Sequence, residues 1–238
     1  MEAQLFSLIS KGVRVLFRPR GARPLALCLC LAVSFCAAAC GGGQKQTKEF
    51  DEVEGAGGAP VRRGVKPEPD AEAAVIETDY GRIVVELYPN VAPKMVAQFK
   101  TLASEGFYDG TTFHRINTEV IQGGDPNSKD DDPSNDGMGG SSLPDVPAEF
   151  SSIPYERGSV GAARSQDVNS ANSQFFITLK RVPNWDGQYT VFGKVIEGMN
   201  NAQIIAGAPT RPDNHESPAD KIVIKSITLQ PRANFKEP

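Results

Sequence analysis

At 238 residues the chain can hold one or two domains with a sizeable core, and 39% hydrophobic with 23% charged residues is ordinary for a globular fold. The formal charge of −4 hides a split: residues 1–40 carry five basic side chains and one acid, leaving 20 basic and 28 acidic ones beyond them. That acidic body argues against a nucleic-acid partner, and with Cys28, Cys30, Cys36 and Cys40 all in the first 40 residues it offers neither disulfides nor thiolate ligands.

Residues 11–23 are basic and 24–39 (PLALCLCLAVSFCAAA) form an uncharged apolar run. This is the layout of a signal peptide, and the run is short of the roughly 20 residues a spanning helix needs. Cys40 follows three alanines and precedes three glycines, which resembles the lipobox of bacterial lipoproteins, although Ala37 stands where leucine is usual. The expectation is an exported envelope protein held to the membrane by a lipid on Cys40. Plain secretion and an uncleaved anchor are the alternatives. Residues 41–70 are rich in Gly, Pro and charge and read as a disordered linker, with a typical span of about 30 Å.

From there a single domain, 71–232, is expected, followed by a short tail, 233–238. Two strands, about 74–79 and 82–88, flank a turn at Asp79-Tyr80-Gly81. Pro93 opens a helix over 93–105 with Val96, Phe99, Leu102 and Ala103 on one face, and Gly106 stops it. The segment 111–126, TTFHRINTEVIQGGDP, reads as two short strands, about 111–116 and 120–123, with a kink between them. An arginine between two strand residues, as Arg115 is, projects either to solvent or into a groove. Asp132, Ser134, Asp136 and Gly137 mimic the front of an EF-hand loop, but Leu143 stands where the bidentate Glu belongs, so a solvated loop is expected. Further strands follow at about 158–163, 173–179 and 190–196, then a helix at 198–206. In the last strand, 221–229, the apolar phase slips by one, which predicts a β-bulge near Lys225-Ser226. About eight short strands and two helices suggest a mainly β fold, a closed eight-stranded antiparallel barrel capped by the helices.

FYDGTTFHRI, IQGGDP, NSQFFI and DGQYTVFGKV, in that order and spacing, resemble a cyclophilin-type peptidyl-prolyl cis-trans isomerase over residues 73–230. The resemblance implies that same barrel and a monomeric isomerase of proline-containing polypeptides that needs no cofactor, metal, nucleophile or general base. Carried over residue by residue, the catalytic arginine matches Arg115 and its companion glutamine Gln122. The substrate groove matches Phe113, Val120, Gln174, Phe176, Trp185 and Tyr189, and its peptide path falls near Ala163 and Arg164. Between Arg115 and Gln122 the chain is one residue shorter than the family segment, which brings Glu119 to a pocket position; Asn184 stands where cyclosporin-sensitive members carry tryptophan. These departures imply weakened turnover, with a non-catalytic proline-peptide module or an envelope scaffold as the competing readings.

Overall fold

The computed structural model describes residues 51–236, and the leader with its Cys40 lies outside them. β-branched residues, Val and Ile above all, build the main sheet, and several of its strands are buried along their whole length. Strands β3 (Glu72–Thr78), β4 (Ile83–Leu87), β5 (Arg115–Ile116), β6 (Val120–Gly123), β8 (Ser159–Ala162), β9 (Phe175–Thr178), β10 (Val191–Glu197) and β11 (Ile224–Pro231) line up as β11-β3-β4-β10-β8-β9-β6-β5. Every neighbouring pair is antiparallel. Ile116, Ile121, Ile177 and Val160 meet in register on the inner face and enter the main core. Helix α1 (Pro93–Ser104) lays Met95, Val96, Phe99, Leu102 and Ala103 against that face, and α2 (Met199–Ala206) adds Ala202 and Ile205. Phe99 packs edge-on to Phe175 at 5.7 Å and against Phe192 at 5.3 Å. Rings buried in this way contribute roughly 1.5–3 kcal/mol each. The N-terminus of α1 lacks a side-chain cap of its own; Glu149 supplies one from a distance, accepting from the Lys94 and Met95 amides at 3.1 and 3.0 Å.

The expected bulge is present: β11 shifts register on β3 between Ile224 and Ser226. The closed barrel is not. The sheet is an open half-barrel with β5 and β11 as its edges. β5 is only two residues long, and the flanks of the two edges meet at an isolated bridge, Thr112 with Val223, through backbone hydrogen bonds from Gly110 and Phe113 to the Ile224 and Ile222 carbonyls and from Ile224 to the Thr111 carbonyl. Further along the gap a loop takes the place of a strand, with the Ile116 amide donating to the Glu216 carbonyl at 2.7 Å.

Residues 51–70 are not a linker. β1 (Glu52–Glu54) pairs with β2 (Pro60–Arg62), and β2 runs parallel to β7 (Phe150–Ser151) in a separate three-stranded sheet. Val65 packs with Tyr88 and Val91, and the Arg62 guanidinium donates to the Val91 carbonyl. So few apolar residues cannot order a segment alone, but here they borrow partners from the domain. Val61 and Gly55 lie against Gly187, and Gly57 against Val168, so the segment backs two of the loops around the site.

Nor do residues 233–236 form a free tail. Phe235 is buried with Ala73, Val75 and Val84, below a 3-10 turn at Arg232–Asn234. Arg232 reaches the buried Glu86 carboxylate with Nε and Nη2, both at 3.1 Å, while the Tyr88 hydroxyl donates to its other oxygen at 2.7 Å. Arg232→Ala strands that carboxylate with a single partner and is expected to cost about 2 kcal/mol. The check is a lower urea midpoint at unchanged slope.

Candidate active site

The outer face of the same sheet carries the site. Reading the register across five strands, Val191 of β10 faces Gly161 of β8, then Phe176 of β9, Gln122 of β6 and Arg115 of β5. Residues paired across strands share a face, so this row turns outward while its neighbours Ile116, Ile121 and Ile177 turn inward. One end of the row is apolar and the other is charged.

At the apolar end Phe176 lies 5.0 Å from Trp185, 5.7 Å from Tyr189 and 5.7 Å from Tyr155, ring centre to ring centre. Trp185 and Tyr189 are only partly buried and form the walls. The loop that carries them is fixed by Asp186, whose Oδ1 accepts from the Tyr155 amide and from Arg181 Nη1, both at 2.9 Å. Gly161 leaves the space into which the Phe176 ring lies down. Tyr155 forms the floor, and its buried hydroxyl has no hydrogen-bond partner. The Arg164 guanidinium stacks over Tyr189 at 4.5 Å, with Nη2 donating to the Gln188 carbonyl at 2.9 Å.

At the charged end the side chains form a relay. Arg115 Nη1 donates to Gln122 Oε1 at 3.3 Å, and Gln122 Nε2 donates to Gln174 Oε1 at 3.0 Å. Gln174 Nε2 in turn donates to the Gly137 and Gly139 carbonyls at 3.0 and 2.8 Å. On the other side, Arg115 Nε donates to Glu216 Oε2 at 2.7 Å. That hydrogen bond, with a second from Asn117, holds the Glu216 carboxyl below the usual carboxylate range. Two open cavities adjoin the relay: one of about 190 Å³ bounded by Ala163, Arg164 and Gln174, the other of about 340 Å³ in front of Arg115 and Glu216.

The sequence-derived residues sort accordingly. Arg115, Gln122, Gln174, Phe176, Trp185, Tyr189, Ala163 and Arg164 surround one groove. Phe113 does not reach it: the side chain is wholly buried in the main core, edge-on to Phe175 at 6.1 Å. It sits two residues before Arg115 but outside the β5 ladder, so strand parity does not carry it to the outer face. Val120 is fully buried in the aromatic cluster and belongs to the floor rather than to an exposed wall. Glu119 does not intrude into the groove, since it pairs with Lys180 at 3.1 Å. The shortened turn is stable because Asn117 Oδ1 accepts from the Glu119 and Val120 amides at 2.8 and 2.9 Å. With Glu119 turned away, one of the two sequence arguments for a non-catalytic module falls, and the shortened segment is the other. Tyr155, Gly161 and Glu216 were missed. Gly161 alone carried a signal, as a glycine inside a strand often marks a close approach. His114 is buried, and burial pushes its imidazole down, so it is neutral at pH 7.

On the outer face of the half-barrel an aromatic cluster therefore stands beside a guanidinium that is held from two sides. The family model of the cyclophilin type peptidyl-prolyl cis-trans isomerases matches residues 73–229. A probable peptidyl-prolyl cis-trans isomerase of Brucella suis is 44% identical over 158 residues, 64% of this chain and 81% of that one. A Schizosaccharomyces pombe isomerase is 35% identical over 159 residues, 65% of this chain and 97% of that one. Among solved structures, a Cryptosporidium parvum cyclophilin type isomerase crystallised in the presence of the dipeptide Ala-Pro superposes with a TM-score of 0.60 at 33% identity, covering 66% of this chain and 98% of that one. The chain belongs to the cyclophilin-type peptidyl-prolyl cis-trans isomerases, and it is an enzyme of that activity.

Proposed function

We propose that this isomerase acts on X-Pro bonds of exported polypeptides at the bacterial cell envelope, held to the membrane through Cys40, with Arg115 as the catalytic donor. The observation that carries the site is the row of Arg115, Gln122 and Phe176 across three strands. Support for the location comes from the sequence, in the basic, apolar and small-residue order ahead of Cys40.

The mechanism needs no covalent step. Resonance sets a barrier near 20 kcal/mol to rotation about the X-Pro bond, whereas cis and trans differ by only about 0.5–1 kcal/mol, so catalysis must act on the barrier. Phe176, Trp185 and Tyr189 hold the prolyl ring still while the acyl side turns. In the twisted state the prolyl nitrogen regains its lone pair, and an Arg115 N–H donates to it. Guanidinium suits this role because it donates without losing its proton at any physiological pH. The planar ground state has no such lone pair, so the bond lowers the barrier rather than merely tightening binding. Gln122 fixes the guanidinium, and Gln174 and Arg164 border the path of the residues before the proline.

Isomer exchange on an X-Pro peptide, followed by NMR, tests the activity; a wild-type rate equal to background sinks it. The address is tested by mass spectrometry of the mature N-terminus from the native host. A diacylglyceryl mass on Cys40 is expected, and an unmodified Cys40 or an intact leader refutes the anchor.

A further inference from the structure

The open edge of the half-barrel has a chemical consequence for Arg115. Where a closing strand is missing, the loop between α2 and β11 lies against β5. Its backbone is fixed there on several sides. The Ile116 amide donates to the Glu216 carbonyl at 2.7 Å, the Glu216 amide to Asn214 Oδ1 at 3.1 Å, and the Arg211 amide to the Ser217 carbonyl at 2.9 Å. The Glu216 side chain is thereby delivered to the outer face beside Arg115. One oxygen accepts from Nε at 2.7 Å, and the other lies 3.4 Å from Nη2. Asn117 Nδ2 donates to that second oxygen at 2.7 Å while its Oδ1 holds the shortened turn. The residue that closes the short segment therefore also braces Glu216.

We propose that Glu216 is a positioning residue for the isomerase reaction, orienting Arg115 from the side opposite Gln122. The proposal rests on the isomerase reading of the groove. A half-exposed arginine explores many rotamers, and forked pairing with a carboxylate removes most of that freedom. Glu216 occupies Nε and one face of Nη2, and Gln122 occupies Nη1. One N–H on each terminal nitrogen is left to point at substrate. Because the clamp leaves the aromatic pocket untouched, its loss lowers the turnover step and spares binding.

The test uses the full-length chain with Glu216→Ala and Glu216→Gln, on a tetrapeptide with a single X-Pro bond, after circular dichroism has checked each fold. Glu216→Ala is expected to lower kcat about tenfold with KM within twofold. Glu216→Gln should recover most of that loss, since an amide oxygen still accepts from Nε. In an Arg115→Ala background the Glu216→Ala change should add nothing, because it acts through Arg115 alone. The Arg115 Nε–H signal in nitrogen-15 NMR should be protected in wild type and in Glu216→Gln, and lost in Glu216→Ala. Unchanged kcat, a KM that rises as kcat falls, or an equal loss without Arg115 overturns the proposal. A wild-type chain inactive on the peptide would instead sink the isomerase reading. The Nε–H signal would then still decide whether Glu216 holds the guanidinium.

Discussion

Arg115→Ala is expected to lower kcat/KM by about 10²–10³-fold, the usual consequence of deleting one donor aimed at charge that develops in a transition state. The loss should lie in kcat, because Phe176, Trp185 and Tyr189 still hold the prolyl ring. Stability should barely move. Arg115 and Glu216 are 40% and 46% exposed, and an ion pair this open contributes about 0–1 kcal/mol. Arg115→Lys should be nearly as slow as the alanine variant. A compact ammonium can meet Glu216 or Gln122, but it has no planar fork to meet both and still face the substrate. Isomer exchange NMR on wild type and both variants, with urea midpoints, separates the two effects. A lysine variant at full rate would mean that charge alone suffices, and the fork geometry would then be irrelevant.

The strands read at 111–116 and 120–123 leave Arg115 facing either solvent or a groove; its pairing with Gln122 comes from the family resemblance, whereas the phase slip in 221–229 locates the bulge from the residues alone. Phe113 shows where the argument stops: parity holds only inside a ladder, and the ladder begins at Arg115. Glu216 was out of reach for a different reason. It sits about a hundred positions from its partner on a loop with no periodicity, and only the fold brings it beside Arg115 and Asn117. Closure itself cannot be read from strand count, since a two-residue edge strand and a loop can take the place of a ladder. The same holds for residues 51–70 and Phe235. Their few apolar side chains are too sparse to order a peptide, and the partners that order them lie elsewhere in the chain.

Gly161→Ala is the sharpest test of the apolar half. A Cβ built on Gly161 falls 2.6 Å from both Phe176 Cε2 and the Tyr155 hydroxyl, and closer still to Phe176 Cζ. No rotamer choice at residue 161 relieves this, because the Cβ is fixed by the backbone. β8 is held between β9 and β10, so the strand cannot retreat, and the Phe176 ring must leave its place. It is already bounded by Trp185, Tyr189 and Tyr155, so it can only tilt outward into the space the prolyl ring would use. Overpacking of this kind costs about 1–3 kcal/mol of stability. The larger effect falls on function: kcat/KM should drop at least about a hundredfold, with the loss in KM as well as kcat, since a displacement of about 1 Å at such a site can cost that much. This signature is the opposite of the Glu216 variants, where binding is spared. Phe176→Leu in the Gly161→Ala background removes the clashing ring edge but not the Tyr155 hydroxyl contact, and should recover part of the stability but not the activity. A single Gly161→Ala variant with wild-type kcat and KM would mean that Phe176 does not hold the prolyl ring.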